Sequence, residues 1–553
     1  MSNTKISFDH YYKYDELTKY LHSISAEYPN LITLESVGQS YEGREIWALA
    51  ITNKDSGCAN NKPAIYIDGN IHAGEVTGSM VCLKLIDYLV NNFNTNEQIT
   101  YTLNSKTFYV LPRVNPDGAE LYLTTATKLR SSTRIYPDNT YTELPGLHPQ
   151  DINNDNKILV MRVQDNKRGE WKKSNKDSRI MLPRRPGEHN GEFFHLYPEG
   201  LIKDYDNTSF DINRSPYGLD LNRNFPSNFK SEFIPGGPYP ASEPEVKAIV
   251  DFIVNHKNIG LLNCFHTSGG FVFRNPYTYE DNEMDAEDLK ATKEIAREYF
   301  HIAGYKDIKS NNFSTLTEWA YEHLGIIGYT TELWNRLERA GTTSEEYFNA
   351  KTPEEVENIY LKLLKWNDTE LCRKGFIDWK KFNHPQLGDI EIGGWDFKYA
   401  VQNPPIHLLE QECYNGALWA ISQLASMPDC KISNSELVKI DKDVYKITIY
   451  CENYGYLPSY ITNKGKNIKA VEEDKLFITG DNFELISGDY ETNIGFIEGY
   501  MNGQSKGYFA VGKPAKSSIK HDFIVKATNN TASVIIKLKS QRGGCDSVEI
   551  FLP

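Results

Sequence analysis

Between Tyr14 and Glu27, the apolar residues Leu17, Tyr20, Leu21 and Ile24 recur at helical spacing, and Pro29 ends the pattern. That spacing predicts an amphipathic helix. Two strand-like runs follow, LITLESVG and REIWALAIT, separated by the turn material QSYEG. PAIYIDGNIHAGE predicts a buried strand that ends in a glycine-bearing loop. VTGSMVCLKLIDYLVNN predicts a helix, and KTFYVLPRVNPDG a further strand closed by a turn-rich NPDG. The alternation resumes with SEPEVKAIVDFIVNH, where Ser242 and Glu245 are expected to form a capping box at a helix start. The strand IGLLNCFHT, the charged helix MDAEDLKATKEIAREYFHIAG and the strand GIIGYTTELW come next. Strands alternating with helices predict an α/β domain whose helices flank a mostly parallel or mixed sheet.

Two stretches break this rhythm. Between about Ile135 and Tyr217 the chain becomes polar and rich in Pro and Asn, too long for an ordinary connection, and it is expected to be an insertion decorating the domain. Beyond about Ser433 the period shifts to two. In VYKITIYCEN, Tyr445, Ile447, Ile449 and Cys451 share one face, and in DSVEIFLP so do Val548, Ile550 and Leu552. FIVKATNNTASVIIKL suggests a hairpin around Asn529 and Asn530. The expected division is therefore an α/β domain over residues 1–432, with an insertion at 135–217, and an all-β sandwich over 433–553.

Composition narrows the class. Apolar residues at 40% and charged residues at 24% are ordinary globular usage, which excludes a disordered or collagen-like chain. No run approaches the roughly 18 apolar residues of a membrane span, and MSNTKISFDHYYKYDELTK lacks the apolar core of an export signal, so a cytoplasmic protein is expected. With 60 basic against 74 acidic side chains, a net charge of -14 and no long basic block, nucleic acid and anionic membrane are poor partners. The eight cysteines show no CxxC pair and are expected to be reduced thiols.

The candidate chemistry lies at the ends of predicted strands. His72 and Glu75 form His-x-x-Glu after one strand, His266 follows LLNCF, Glu332 ends IIGYTTEL, and Asn222 and Arg223 follow YGLDL. In open α/β sheets, ligands bind at the carboxyl ends of strands. The three-residue spacing of His72 and Glu75 suits two ligands of a single Zn²⁺, and further metal-competent or charged groups lie at the other strand ends.

GNIHAGE, NPDG followed twelve residues later by Arg130, GLDLNRNF, NCFHTSGG and TEWAYEHLGIIGYTTEL occur in this order. Together they resemble the zinc metallocarboxypeptidases, the carboxypeptidase A-like family, over roughly residues 7 to 430. The resemblance implies a carboxypeptidase-like mixed sheet flanked by helices. It also implies hydrolysis of the C-terminal peptide bond of a peptide, with His72, Glu75 and His266 as ligands of one zinc whose open position activates water. Glu332 matches the general base and Arg130 the group that stabilises the oxyanion. Asn222 and Arg223 match the clamp for a substrate's free C-terminal carboxylate, and Asp220 the carboxylate that orients a zinc-bound imidazole. Thr317, two residues before Trp319, falls at the base of the side-chain pocket, where it offers neither an acidic partner nor an apolar floor.

The family's substrate-closing Tyr has no counterpart. Its position falls on Ser310, with Tyr305 nearby and Tyr277 and Tyr279 on another loop, where ordinary exposed side chains are expected. Arg184 and Arg185 would favour acidic substrates only if they reached the cleft. Asp151, Asn153 and Asp155 alternate as in a calcium loop, although Arg162 stands where the final acid belongs. Two alternatives share these residues: a zinc amidase or deacylase acting on a modified amino acid or cell-wall-type peptide, and an inactive binding protein.

Overall fold

The computed structural model describes residues 4–137, 143–213, 215–503 and 514–553. Its central element is an eight-stranded sheet. From one edge the order is Ile32–Gln39, Glu45–Ile51, Thr107–Leu111, Ala64–Gly69, Ile259–Thr267, Ile327–Leu333, Phe271–Arg274 and Lys306–Lys309. Ala64–Gly69 pairs parallel with both of its neighbours, and Ile259–Thr267 is parallel to Ile327–Leu333, whereas the first two pairings at the Ile32 edge are antiparallel. The middle strands are apolar on both faces because both faces are covered. Ile65, Ile67, Leu261 and Phe265 enter one core, with the helices Tyr14–Glu27, Thr77–Asn92, Ala286–Ala303 and Ile406–Ala425. Their alternates Ala64, Tyr66, Leu262 and Cys264 enter the other, against Pro244–Asn255 and Leu316–Leu324.

The first predicted helix spans Tyr14–Glu27 and buries Leu17, Tyr20, Leu21 and Ile24. Helix Thr77–Asn92 lies unusually close to the sheet. A Cβ on Gly69 would sit 2.5 Å from the backbone of Gly78, and one on Gly78 2.7 Å from the Phe265 carbonyl oxygen. Three local expectations are corrected. NPDG does not form a turn after its strand: Asn115 caps helix Pro116–Thr124, accepting the Gly118 N–H at 3.0 Å. The capping box of Ser242 and Glu245 is absent, because Glu243 is the N-cap, the Ser242 hydroxyl binds Glu243, and Glu245 accepts the Tyr41 N–H. The hairpin expected around Asn529 and Asn530 does not form, because the chain crosses there from one sheet to another.

That crossing belongs to the C-terminal domain, which consists of two four-stranded antiparallel sheets. Ser518–Ala527 pairs with Val444–Asn453 and Phe483–Ser487, whereas Ser533–Ser540 pairs with Asp474–Asp481 and Gly544–Phe551. Tyr445, Ile447, Ile449, Cys451, Phe523 and Val525 from one sheet meet Leu476, Val534, Ile536 and Leu538 from the other in a single core.

The polar stretch within 135–217 contains strands. Val160–Gln164, Phe194–Pro198, Trp171–Lys173 and Met181–Pro183 join a hairpin from far downstream, Phe376–His384 and Gly388–Trp395, in a six-stranded sheet. Leu159, Met161, Ile390 and Ile392 are buried in its own small core. Among the described residues no helix is long and apolar enough to cross a membrane.

Candidate metal centre and substrate cleft

The loop after strand Ala64–Gly69 is shaped by Asn70, which adopts the left-handed region at φ 67. Its Nδ2 donates to the His72 and Ala73 carbonyls at 2.7 and 3.1 Å, and its Oδ1 accepts the Ser79 hydroxyl at 3.0 Å. This turns His72 and Glu75 back over the end of the sheet. His266 is the penultimate residue of Ile259–Thr267 and arrives from the adjacent strand.

Ligand-capable atoms of His72, Glu75 and His266 all lie within 4.8 Å of one another, and all three residues are buried. The two Nδ1 atoms are 3.1 Å apart, and each lies 2.9 Å from a Glu75 oxygen. Glu75 Oε2 is buried and, although 2.9 Å from His266 Nδ1, is not aligned to accept a hydrogen bond from it. Two imidazole nitrogens facing each other beside an orphaned carboxylate oxygen fit a divalent cation, and a His₂Glu donor set suits zinc. On its far side, His72 Nε2 lies 3.2 Å from Asp220 Oδ1.

Asp220 opens the single turn Leu221–Arg223 by accepting the Asn222 N–H at 3.0 Å. Its other oxygen accepts Arg130 Nε at 3.2 Å, and Arg130 Nη1 reaches Glu75 Oε1 at 3.4 Å. Burial alone would raise the Asp220 carboxyl, but His72 and Arg130 hold it well below the usual carboxylate range. The Arg130 side chain remains 49% exposed, so it is available to a ligand in the cleft.

Backbone stitching fixes Arg130 relative to His72. The Ala73 N–H donates to the Arg130 carbonyl at 3.0 Å, Asn115 Nδ2 donates to the carbonyls of Ile71 and Ser131 at 3.1 and 2.9 Å, and the Ser131 hydroxyl binds the Ile71 carbonyl at 2.7 Å. Asn70, Asn115 and Ser131 were not singled out by sequence reasoning. Of these, Asn115 alone carries a local signal, since the Asn-Pro of NPDG suits a helix N-cap followed by Pro as well as a turn.

Glu332 stands in register with His266 on the neighbouring parallel strand. Desolvation, and then the Glu75 carboxylate, push it above the ordinary carboxylate range. Further out, Asn222 Oδ1 accepts the Leu316 N–H at 3.1 Å, which ties the Leu221–Arg223 turn to the start of helix Leu316–Leu324. Arg223 donates to the Asn222 carbonyl at 2.6 Å and to Asn312 Oδ1 at 2.8 Å. Thr317 is buried in a chain of hydroxyls, 3.3 Å from those of both Thr315 and Thr330, and Thr330 is 3.1 Å from the Tyr277 hydroxyl.

Tyr277 is therefore buried, not exposed as expected. The Tyr279 hydroxyl is bound to Glu322 and that of Tyr305 to Glu412, while Ser310 is buried and accepts from Asn312. All three phenol hydroxyls are engaged by partners within the fold. Arg184 is consumed by the carbonyls of Glu188, Lys167 and Gly169, and Arg185 pairs with Glu354. Asp151, Asn153 and Asp155 accept backbone N–H groups of their own loop, which accounts for their spacing, and the calcium expectation gains no support.

A model of zinc carboxypeptidases matches residues 17–355, more than half of the chain. The chain belongs to the zinc carboxypeptidase family. A second model, for a domain of unknown function, matches residues 429–551. Carboxypeptidase D of Mus musculus is 33% identical over 111 residues, covering 20% of this chain and 8% of that protein. Carboxypeptidase B of Astacus astacus is 40% identical over 110 residues, covering 20% of this chain and 33% of that protein. The chain thus matches only a small part of the length of these relatives. The crystal structure of thrombin activatable fibrinolysis inhibitor aligns over 76% of this chain and 77% of its own at 18% identity, with a TM-score of 0.42. The family match extends over every residue singled out above for the metal, the clamp and the base.

Proposed function

We propose that the chain is a metallocarboxypeptidase that hydrolyses the C-terminal peptide bond of peptides with a free terminal carboxylate. The observation that carries this reading is the convergence of His72, Glu75 and His266 beside Arg130, with Glu332 in register next to His266. His72, Glu75 and His266 would hold zinc, which when bound supplies Lewis acidity and lowers the pKa of a coordinated water toward about 7.

The remaining work falls to the chain's own groups. Asn222 and Arg223 bind the terminal carboxylate, for which a planar guanidinium offers two parallel donors. A fixed cation at that depth admits only the last peptide bond to the reacting position. Glu332 takes a proton from the attacking water and returns it to the leaving amine. Arg130, half exposed and anchored on Asp220, faces the developing oxyanion. Asp220 holds the His72 ring through Nε2, which leaves Nδ1 for the metal. Thr317, among hydroxyls, forms a polar pocket base. This catalytic unit would occupy residues 1–432, decorated at 135–217, with the β-sandwich over 433–553 as its companion.

A panel of short peptides with free and amidated C-termini, assayed with zinc-loaded enzyme, tests the reading. Release of one amino acid from the free peptides alone is expected. Release of an acyl or amide group without C-terminal trimming would favour the amidase or deacylase alternative, and no turnover of any kind in zinc-loaded protein would support an inactive binder.

A further inference from the structure

Helix Leu316–Leu324 links both halves of the proposed pocket. At its start, the Thr315 hydroxyl accepts the Glu318 N–H at 3.2 Å, Leu316 N–H holds Asn222, and Thr317 meets Thr330. At its end, Gly325 takes the left-handed conformation at φ 61, and after Ile326 the chain enters Ile327–Leu333, the strand that carries Thr330 and Glu332.

The last carbonyls of this helix are satisfied from the C-terminal domain. Arg542 Nη2 donates to the Leu324 carbonyl at 2.7 Å and Nη1 to that of Gly325 at 3.2 Å, while the Thr462 hydroxyl also binds the Gly325 carbonyl at 2.8 Å. Arg542 is 2% exposed, and its guanidinium has no carboxylate partner among the described residues. A buried cation without a counter-ion is costly, and here it is offset by the negative end of the helix dipole and two carbonyls. The backbones touch as well: a Cβ on Gly325 would lie 2.1 Å from Gly465 Cα.

A second line of contacts reaches the same helix. Asp288 accepts the N–H groups of Asn463 and Lys464 at 2.7 and 3.0 Å together with the Tyr321 hydroxyl at 2.9 Å, and Lys464 Nζ pairs with Glu322 at 2.6 Å. The helix therefore has its last turn fixed to the C-terminal domain and its first turn fixed to the clamp. Its nine residues span only about 13 Å as a rigid rod.

We infer that Arg542 is a positioning residue for the substrate pocket, and that the C-terminal domain braces the helix that sets Asn222, Thr317 and the entry to the Glu332 strand. The kinetic part of this inference rests on the carboxypeptidase reading, whereas the mechanical part does not. In Arg542→Ala the helix gains freedom at the end opposite the clamp, so Asn222 and Thr317 lose a fixed support. KM for a free-carboxylate peptide should rise roughly tenfold with a smaller change in kcat, and Arg542→Lys, which retains one donor to the carbonyls, should recover part of it.

The test measures KM, kcat and zinc content for full-length wild type, Arg542→Ala and Arg542→Lys, together with amide hydrogen exchange over residues 314–333. The expected result is the KM rise, partial rescue by Lys, unchanged zinc, and faster exchange at the Leu316 end of the helix. Unchanged KM and unchanged exchange at that end, in folded zinc-loaded protein, would overturn the brace even if the melting temperature fell. If Arg542→Ala does not fold, Lys464→Ala, which removes the partly exposed pair with Glu322 and the cation over the Tyr321 ring, is measured in its place, with a smaller rise in KM and faster exchange expected and their absence decisive. A wild type inactive on free peptides would sink the carboxypeptidase reading, and the exchange data would still decide the brace.

Discussion

His266 and Glu332 occupy paired register positions on adjacent parallel strands, Ile259–Thr267 and Ile327–Leu333. The sheet therefore sets the proposed ligand and the proposed base side by side, without depending on a flexible loop. Parallel pairing aligns the two residues at equivalent points of the pleat, and both strands end there.

Glu332→Gln keeps the shape of the site and removes its proton acceptor. The variant should bind zinc stoichiometrically and lose roughly 10²- to 10⁴-fold in kcat. Metal analysis combined with steady-state kinetics checks this, and undiminished turnover would exclude Glu332 as the base.

Arg130 and Arg223 should separate kinetically. Arg130→Ala removes a group proposed to act on the transition state and should lower kcat by about 10²-fold, roughly 3 kcal/mol. Arg223→Ala removes a group that binds the substrate's carboxylate in ground and transition states alike, so its main effect should be on KM. Measuring both parameters on one free-carboxylate peptide gives the comparison, and identical effects would undo the assignment.

Removal of zinc by a chelator should abolish hydrolysis and lower the melting temperature, and added zinc should restore both. The stabilisation arises because a metal bound only by the folded state shifts the unfolding equilibrium by mass action. His266→Ala should abolish this zinc-dependent shift. A zinc-dependent shift as large as that of wild type in the variant would contradict a role for His266 as ligand.

Glu245 provides a pH prediction away from the metal. It is buried at the start of helix Pro244–Asn255, and burial is the main cause that pushes its carboxyl from the ordinary 4.5 up to about 7. The folded state holds this proton more tightly than the unfolded state does. The resulting stabilisation is complete at pH below about 4.5 and is lost as pH rises to about 7, on the order of 3 kcal/mol in all. Glu245→Gln remains neutral, so its stability relative to wild type should increase from pH 5 to pH 8. Denaturant midpoints at the two pH values test this, and an unchanged difference would refute it.

Much of the α/β domain was legible because both faces of its sheet are apolar. Helix Tyr14–Glu27 and strands Ala64–Gly69, Ile259–Thr267 and Ile327–Leu333 fall where periodicity placed them. The pattern says which residues are buried but not which strand lies beside which. The hairpin Phe376–Trp395 therefore had no visible link to Val160–Gln164, more than two hundred residues earlier. Nor does the alternation of Phe523 and Val525, or of Val534 and Ile536, reveal that their strands belong to opposing sheets. At the site, His72, Glu75, His266, Arg130, Asn222, Arg223 and Glu332 could be singled out as candidates from residue type, order and family resemblance. The polar residues that hold them could not, because Asn70, Asn115 and Ser131 resemble ordinary loop residues until their backbone partners are known.

The amino-acid sequence by itself determined the alternation of strands and helices, the change to period two in the C-terminal domain, and the presence of metal-competent and charged groups at strand ends. These are properties of neighbouring residues, and local periodicity is sufficient to express them. Only the tertiary structure decided that His72 and His266 present their Nδ1 atoms 3.1 Å apart, that Asp220 joins His72 to Arg130, and that Arg542 closes a helix in another domain. Each of those contacts joins residues 90 or more positions apart in the chain. Sheet register, helix ends and burial bring them together, and no local pattern records which distant partner will satisfy a buried polar group.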